Sequence, residues 1–455
     1  MSRTTKWMAA GVAAAVLAAG AAFLLRGTGA ERQRNLIIIS VDTLRPDHLG
    51  CYGYERDTSS AIDSLAEDGT VFLNAYAQRA LTWPSLASIM TSTYPITHGI
   101  RTNGLMLADE QPALAAVLQG QGYRCVALLA NAPQQNWQGF EEVKWLYDKP
   151  LTDYAIEQIR TLRDEKFFLW LFYVAPHAPY EPPEGYGGLF DPEYTGPIDG
   201  SAETLAAIGK DRVDLSPADL NHIVSLYDGE IAFVDDQIQR VLDELRAQGL
   251  LDDSLIVFTS DHGEDMYDHN YYFDHMASVY DSSLRIPLMF RLPGTIPAGA
   301  RLDPLVESID IAPTILELLG IRAPRAFQGD SLVPLLEGRD VDLGPCFAEW
   351  QDQIVTVRTD AHRYVFNPLE WNPYWLKEHP EVTYFIDREE LYDLRKDPGE
   401  TTNLAAESPE VVGDLRKRID GWIGQYDWKL NEFDANPHVI DEDLKESLEA
   451  MGYVF

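Results

Sequence analysis

Apolar residues in this chain alternate between short, largely unbroken runs and stretches where they recur every three or four positions. The runs at 35–42 (NLIIISVD), 70–77, 123–130 (YRCVALLA), 254–259 (SLIVFT) and 284–291 (LRIPLMFR), with the apolar start of FFLWLFYVAPHAPYEPP at 167–183, predict strands buried on both faces. Helical spacing falls between them, at 58–68, 111–120, 151–163, 216–249 and 308–319. The long helix has its own punctuation: Ser216 as cap, Pro217 in the first turn and Gly249 as stop. This alternation predicts a doubly wound α/β domain. Residues 184–215 lack periodicity and read as a surface insertion shaping the cleft. From about residue 345 the pattern turns to short alternating strands at 346–350, 354–358, 362–366 and 384–387 and a last helix at 408–424. The expected organisation is a core over 31–344 and a small antiparallel C-terminal subdomain over 345–455.

The first 30 residues have a different character. Arg3 and Lys6 precede an apolar run from Trp7 to Leu25, close to the roughly 20 residues that cross a bilayer. They predict an N-terminal membrane anchor, or a signal segment cleaved near Thr28-Gly29-Ala30. The remainder is then expected in the cell envelope, outside the cytoplasm, or secreted. With 36 basic and 72 acidic side chains the net charge is −36, which argues against nucleic acid as a partner. Such a surface also repels anionic substrates unless a metal or local basic groups reverse the field. Cys51, Cys125 and Cys346 are too few and too scattered for a disulfide framework or a cysteine zinc site.

Candidate chemistry gathers where predicted strands end. Asp42 closes the first run, Asp261 and His262 follow the run at 254–259, and His177 sits in a proline-stiffened loop just past Pro176. Thr82 stands before a helix expected to begin at Pro84, where free N–H groups and the helix dipole favour an anion; the same threonine is equally an ordinary N-cap. Two carboxylates, an imidazole and a hydroxyl make a donor set for a divalent cation, which would lower the hydroxyl's pKa and neutralise a bound anion. On the long helix, Asp228, Glu230 and Asp235 read as solvated or capping, and Asp47 as a cap. His48, His222 and His269 read as structural, while a packing or turn role competes with a functional one at His98 and Arg101.

Seven segments occur in the order found in one family: NLIIISVDTLRPDHLGCYGY, the TxPSxxSxxTxxYPxxHGIxxN stretch from Thr82 to Asn103, PHAPYEPP, TSDHGE, FDHMASVYDSSLRIPL, DIAPTILELLG and ELYDLRKDPGETTNLA. Over about residues 35–425 the chain thereby resembles the sulfatase family of the alkaline phosphatase superfamily. The resemblance implies an alkaline phosphatase-like mixed sheet flanked by helices. It implies a divalent metal (Ca²⁺, Zn²⁺, Mn²⁺ or Mg²⁺) held by Asp42, Asp261 and His262, with Thr82 contributing its oxygen and standing at the nucleophile position. His177 and His275 would contact the ester or its leaving group, or belong to a second metal site.

The departures are specific. Typical sulfatases carry Cys-x-Pro-Ser-Arg, with the cysteine oxidised to formylglycine; this chain has Thr82-Trp83-Pro84-Ser85-Leu86. A secondary alcohol cannot become that aldehyde. Thr43 replaces a second aspartate, and Ala175 stands where many relatives have another. Threonine is the nucleophile in phosphodiesterase and phosphotransferase branches of the superfamily, and Asn103 matches an asparagine that binds a phosphate oxygen in such relatives. The first expectation is therefore an exported, metal-dependent hydrolase of phosphate mono- or diesters, with His177 or His275 protonating the leaving alcohol. The alternatives are a sulfuric ester hydrolase, a phosphoethanolamine-type transferase and a non-catalytic binder of envelope glycan or lipid.

Overall fold

The computed structural model describes residues 34–130, 137–211, 215–270, 272–275, 278–350, 354–368 and 388–426. The predicted anchor at 1–30 lies outside these residues. Among the described residues no helix is long and apolar enough to cross a membrane.

In chain order the first elements are β1 (Asn35–Val41), α1 (Ser60–Asp68), β2 (Thr70–Tyr76), α2 (Thr82–Thr91), α3 (Leu114–Gly120), β3 (Arg124–Leu129) and β4 (Glu142–Trp145). They are followed by α4 (Asp148–Leu162), β5 (Phe167–Tyr173), α5 (Ala202–Asp211), α6 (Pro217–Ala247), β6 (Ser254–Ser260) and the small hairpin of β7 (Asp265–Met266) and β8 (Tyr272–Asp274). The core ends with β9 (Arg285–Arg291), β10 (Ala300–Glu307) and α7 (Ile311–Leu318). The central sheet has the order β10-β2-β9-β6-β1-β5-β3-β4, and β9 alone runs against the rest. Seven strands therefore discharge their carboxyl ends onto one edge, where ligands bind in open α/β sheets.

β1 shows why the run is apolar at every position. Leu36 and Ile38 face the layer of α2, α3 and α7, whereas Ile37, Ile39 and Val41 face that of α1, α4 and α6. A strand covered on both sides needs no polar alternation. α6 begins as predicted, with a full capping box between Ser216 and Asp219 and Pro217 in its first turn.

A second, four-stranded antiparallel sheet is built from β11 (Cys346–Trp350), β12 (Ile354–Arg358), β13 (His362–Phe366) and β14 (Glu389–Asp393). α8 (Pro409–Ile423) packs Leu415, Ile419 and Trp422 against Val355, Val357 and Tyr364. The strand expected at 384–387 falls outside the described residues, and the fourth strand forms at Glu389–Asp393. Two other expectations need correction. The insertion at 184–215 contains a helix, α5, which packs near β8. β4 and β10, sheet-edge strands carrying charged residues, went unpredicted because their partly exposed faces break the apolar run.

Candidate active site

Four strand ends build the site. β1 delivers Asp42, whose N–H donates to Tyr173 O at 2.9 Å and extends the ladder with β5 by one rung. β6 delivers Asp261 and His262, β5 leads to His177, and β2 leads to Thr82. Asp42, Asp261 and His262 are all buried, and each offers one ligand atom within 4.8 Å of the others. Among the described residues this is the one group of three or more such side chains; His177 and His275 form no second cluster of that kind.

Backbone contacts orient the group atom by atom. Asp261 Oδ1 accepts N–H bonds from His262 (2.8 Å) and Thr43 (3.2 Å), which turns Oδ2 toward His262 Nε2 at 3.3 Å. His262 Nδ1 lies 2.9 Å from Gly263 O, so it carries the proton and leaves the Nε2 lone pair facing the two aspartates, with Asp42 Oδ1 at 3.9 Å. Burial pushes His262 well below its usual pKa, keeping the ring neutral, and raises Asp261 to about 6. Neither His262 Nε2 nor Asp261 Oδ2 completes a hydrogen bond. Converging carboxylates and an imidazole lone pair, buried together, fit a divalent cation, which would hold Asp261 ionised.

The turn after Asp42 is unusual. Thr43 adopts φ 52°, a left-handed conformation unfavourable for a β-branched residue. Tyr227 Oη holds it by donating to Thr43 O (2.8 Å) while accepting from Arg45 N (3.0 Å), and Leu44 N donates to Ser260 Oγ (3.1 Å).

α2 starts two residues earlier than expected, with Leu81 at the cap position and Thr82 as the first helical residue, so Thr82 is not an N-cap. Its first turn is fixed to the metal-site loop by Ser85 Oγ, which donates to Asp261 O at 2.5 Å. Asn103 closes over the same turn, with Oδ1 accepting Trp83 N–H at 3.1 Å and buried Nδ2 making no hydrogen bond. His275 is joined to buried Glu264 through Nδ1–Oε1 at 3.0 Å, and its ring centroid lies 4.3 Å from His262 and 5.3 Å from His177. His177 Nδ1 donates to Ala178 O at 2.6 Å, and burial followed by the neighbouring His275 lowers its pKa to about 3.

All seven expected site residues, Asp42, Thr82, Asn103, His177, Asp261, His262 and His275, thus lie along this edge. Sequence reasoning missed Glu264, the fourth residue of the segment Asp261-His262-Gly263-Glu264: nothing but the fold reveals that it faces His275. His98 belongs elsewhere, its Nε2 bonded to Ser88 Oγ and its Nδ1 accepting from Ile100 N, both at 3.0 Å. Asp47 pairs with Arg45 rather than capping a helix. Asp228, expected solvated or capping, is buried and bound by His48, Tyr54 and Arg56. Buried Glu230 accepts from Glu181 N, and Asp235 does cap, but on another helix, accepting from Ala61 N and Ile62 N of α1. His222 stacks on Tyr194 and His269 on Tyr280, as structural histidines do.

Sheet, strand-end carboxylates and helix-borne hydroxyl define a class of α/β enzyme with a group of side chains able to hold a divalent cation at the carboxyl ends of its strands. More narrowly, residues 34–321 match the sulfatase family and residues 268–424 match N-sulphoglucosamine sulphohydrolase, C-terminal; the chain belongs to the sulfatase family and is an ester hydrolase of the alkaline phosphatase superfamily. It is 27% identical to an arylsulfatase of Clostridium perfringens, over 84% of this chain and 93% of that protein. It is 29% identical to the multifunctional alkaline phosphatase superfamily protein PehA of Trinickia caryophylli, over 89% and 98%. Among solved structures it resembles BT4656 in complex with its substrate D-glucosamine-2-N,6-O-disulfate (TM-score 0.74, 22% identity, 90% of this chain and all of that one). It also resembles the phosphonate monoester hydrolase of Agrobacterium radiobacter (TM-score 0.70, 24% identity, 86% and 96%).

Proposed function

We propose that the chain hydrolyses sulfuric esters at the site where Asp42, Asp261 and His262 converge beside the first turn of α2. The observation that carries this is the convergence itself, three buried ligand atoms within 4.8 Å of one another. The predominance of sulfatases among its relatives supports sulfate over phosphate, reversing the order expected from Thr82 alone. Asp42, Asp261 and His262, with the Thr82 hydroxyl, would hold a divalent cation, which would supply positive charge for the ester oxygens and lower the hydroxyl's pKa.

The chain's own groups do the rest. Thr82 Oγ1 attacks the sulfur as the bond to the leaving oxygen breaks, and water then hydrolyses the threonine sulfate. Asn103 Nδ2 donates to a non-bridging oxygen. His275, held by the Glu264 carboxylate, protonates the leaving alkoxide, and the threonine proton passes to water, since burial makes the His177 imidazole too weak a base to take it. The apolar run at 7–25 supports an exported, anchored or secreted enzyme.

A second reading, hydrolysis of phosphate or phosphonate esters, is favoured by Thr82 itself, which cannot become formylglycine, and by Asn103 Nδ2 at its side. Matched aryl sulfate, phosphomonoester and phosphodiester substrates, assayed with each divalent metal, separate the two. The expected result is sulfate turnover that falls by about a thousandfold or more in Thr82→Ala. Preference for either phosphate ester establishes the second reading, and turnover unaffected by Thr82→Ala removes the proposed nucleophile.

A further inference from the structure

Past the far end of α2 lies a cavity of about 460 Å³, walled by the end of β10, the loop entering β11 and the last turn of α8. None of its lining residues belongs to the strand-end group, and α2 itself, at about 1.5 Å per residue, puts roughly 15 Å between Thr82 and the turn that carries Tyr94 into the cavity wall. Three aromatic rings line it together. Tyr94, Trp422 and Tyr426 stand at steep angles to one another, with centroids 5.1 Å (Tyr94–Trp422), 6.1 Å (Tyr94–Tyr426) and 5.3 Å (Trp422–Tyr426) apart. Phe347 stacks on Trp422 at 5.1 Å and 8°, so the rings are held in place before any ligand arrives.

Among the described residues the charged lining is entirely acidic. Glu307 is fixed by Tyr94 Oη, which donates to Oε2 at 2.6 Å, and by Phe347 N, which donates to Oε1 at 2.9 Å. Asp310 accepts from Glu307 N and Asp330 N, both at 2.8 Å, and exposed Asp330 brings a third carboxylate to the lining. These donors are neutral, and none of the described residues lining the cavity is basic. Burial accordingly raises Glu307 to about 7, and burial followed by the Glu307 charge raises Asp310. A bare metal ion does not suit the space, because these carboxylates form no three-ligand group of the kind made by Asp42, Asp261 and His262. Aromatic rings beside uncompensated carboxylates fit a larger cation, one with an apolar surface of its own.

We propose that this cavity is a second ligand site, for an organic ammonium ion whose charge meets Glu307 and Asp310 and whose methyl or methylene groups pack on Tyr94, Trp422 and Tyr426. It stands apart from the ester-hydrolase reading, since it uses none of that site's residues. A net charge of −36 draws cations toward the protein surface and raises their concentration where Asp330 meets solvent.

Calorimetric titration of choline and of protonated ethanolamine into the full-length protein at about pH 8, where Glu307 is ionised, tests this. The comparison ligand is choline's neutral isostere, in which a tert-butyl group replaces trimethylammonium. At least one ammonium ion is expected to bind tenfold or more tighter than the isostere, and Glu307→Gln and Tyr426→Leu should each weaken it at least tenfold. Tyr426 is only partly buried and Asp330 is exposed, so Tyr426→Leu and Asp330→Asn probe the site without cutting into the core; the second should weaken binding about threefold. No binding of either ammonium ion, equal affinity for the isostere, or affinity unchanged in Tyr426→Leu overturns the site. Thr82→Ala, which stops the proposed ester chemistry, should bind the ammonium ion as wild type does. Weaker binding there would place the ion at the ester site and equally overturn the proposal.

Discussion

Asp261 and His262 are adjacent in sequence, yet each has one polar atom tied to backbone and the other turned toward its neighbour. The choice is made by Thr43 N, His262 N and Gly263 O, groups every sequence possesses, and so residue identity alone does not reveal it. Asp42, Asp261 and His262 were nevertheless legible, because each follows a buried run at the carboxyl end of a strand. Glu264 was not, since a carboxylate next to a glycine turn looks the same whether it faces water or His275. Its role as the group that orients His275 gives a residue-scale prediction: Glu264→Gln lowers kcat by about 10- to 100-fold with little change in KM. Steady-state kinetics checks this, and an unchanged kcat removes Glu264 from proton transfer.

At the scale of elements, α2 is held at two points. Ser85 fixes its first turn to the Asp261 carbonyl, and Ser88 in its middle bonds His98, which in turn accepts from Ile100 N and steadies the chain toward Asn103. Burial, with Arg79 and Arg101 nearby, lowers His98 to about 3. A histidine depressed in the folded state contributes stability above its unfolded pKa, about 6.5, and loses it as pH falls toward 3, by up to about 1.4 kcal/mol per pH unit. His98→Asn is expected to cost about 1–3 kcal/mol at pH 7 through its altered hydrogen bonds. The gap to wild type should narrow by up to about 2 kcal/mol at pH 5, where the wild-type ring alone resists protonation. Urea midpoints at the two pH values measure this; a constant gap means His98 is not held neutral by the fold. Tyr227 plays the corresponding part for the turn after β1, where Thr43 keeps its left-handed φ.

At the scale of the molecule, one edge of an eight-stranded sheet brings together groups as distant in sequence as Asp42 and Asp261. Buried carboxylates without a cation oppose each other, so a divalent ion bound only by the folded state should raise its stability by about 2.7 kcal/mol at a hundredfold excess over its dissociation constant. Thermal denaturation after chelation and after addition of Ca²⁺, Mg²⁺, Mn²⁺ or Zn²⁺ should show a rise in Tm for at least one ion, abolished in Asp261→Asn. A protein indifferent to all four would count against the cation site.

The sequence by itself determined the layering of this protein. Runs such as LIIIS can be buried on both faces only in a covered sheet, and the 3.6-residue spacing between them supplies the cover. It also determined which side chains reach the strand ends. Tertiary structure alone decided the order of the strands, the reversal of β9 and the partners of buried charges: Asp228 with His48 and Arg56, Asp235 on the start of α1, Arg79 with Glu349. The physical reason is range. Periodicity and turn chemistry act over a few residues and are written locally, whereas a buried charge is satisfied by whichever group packing brings near, from any distance along the chain.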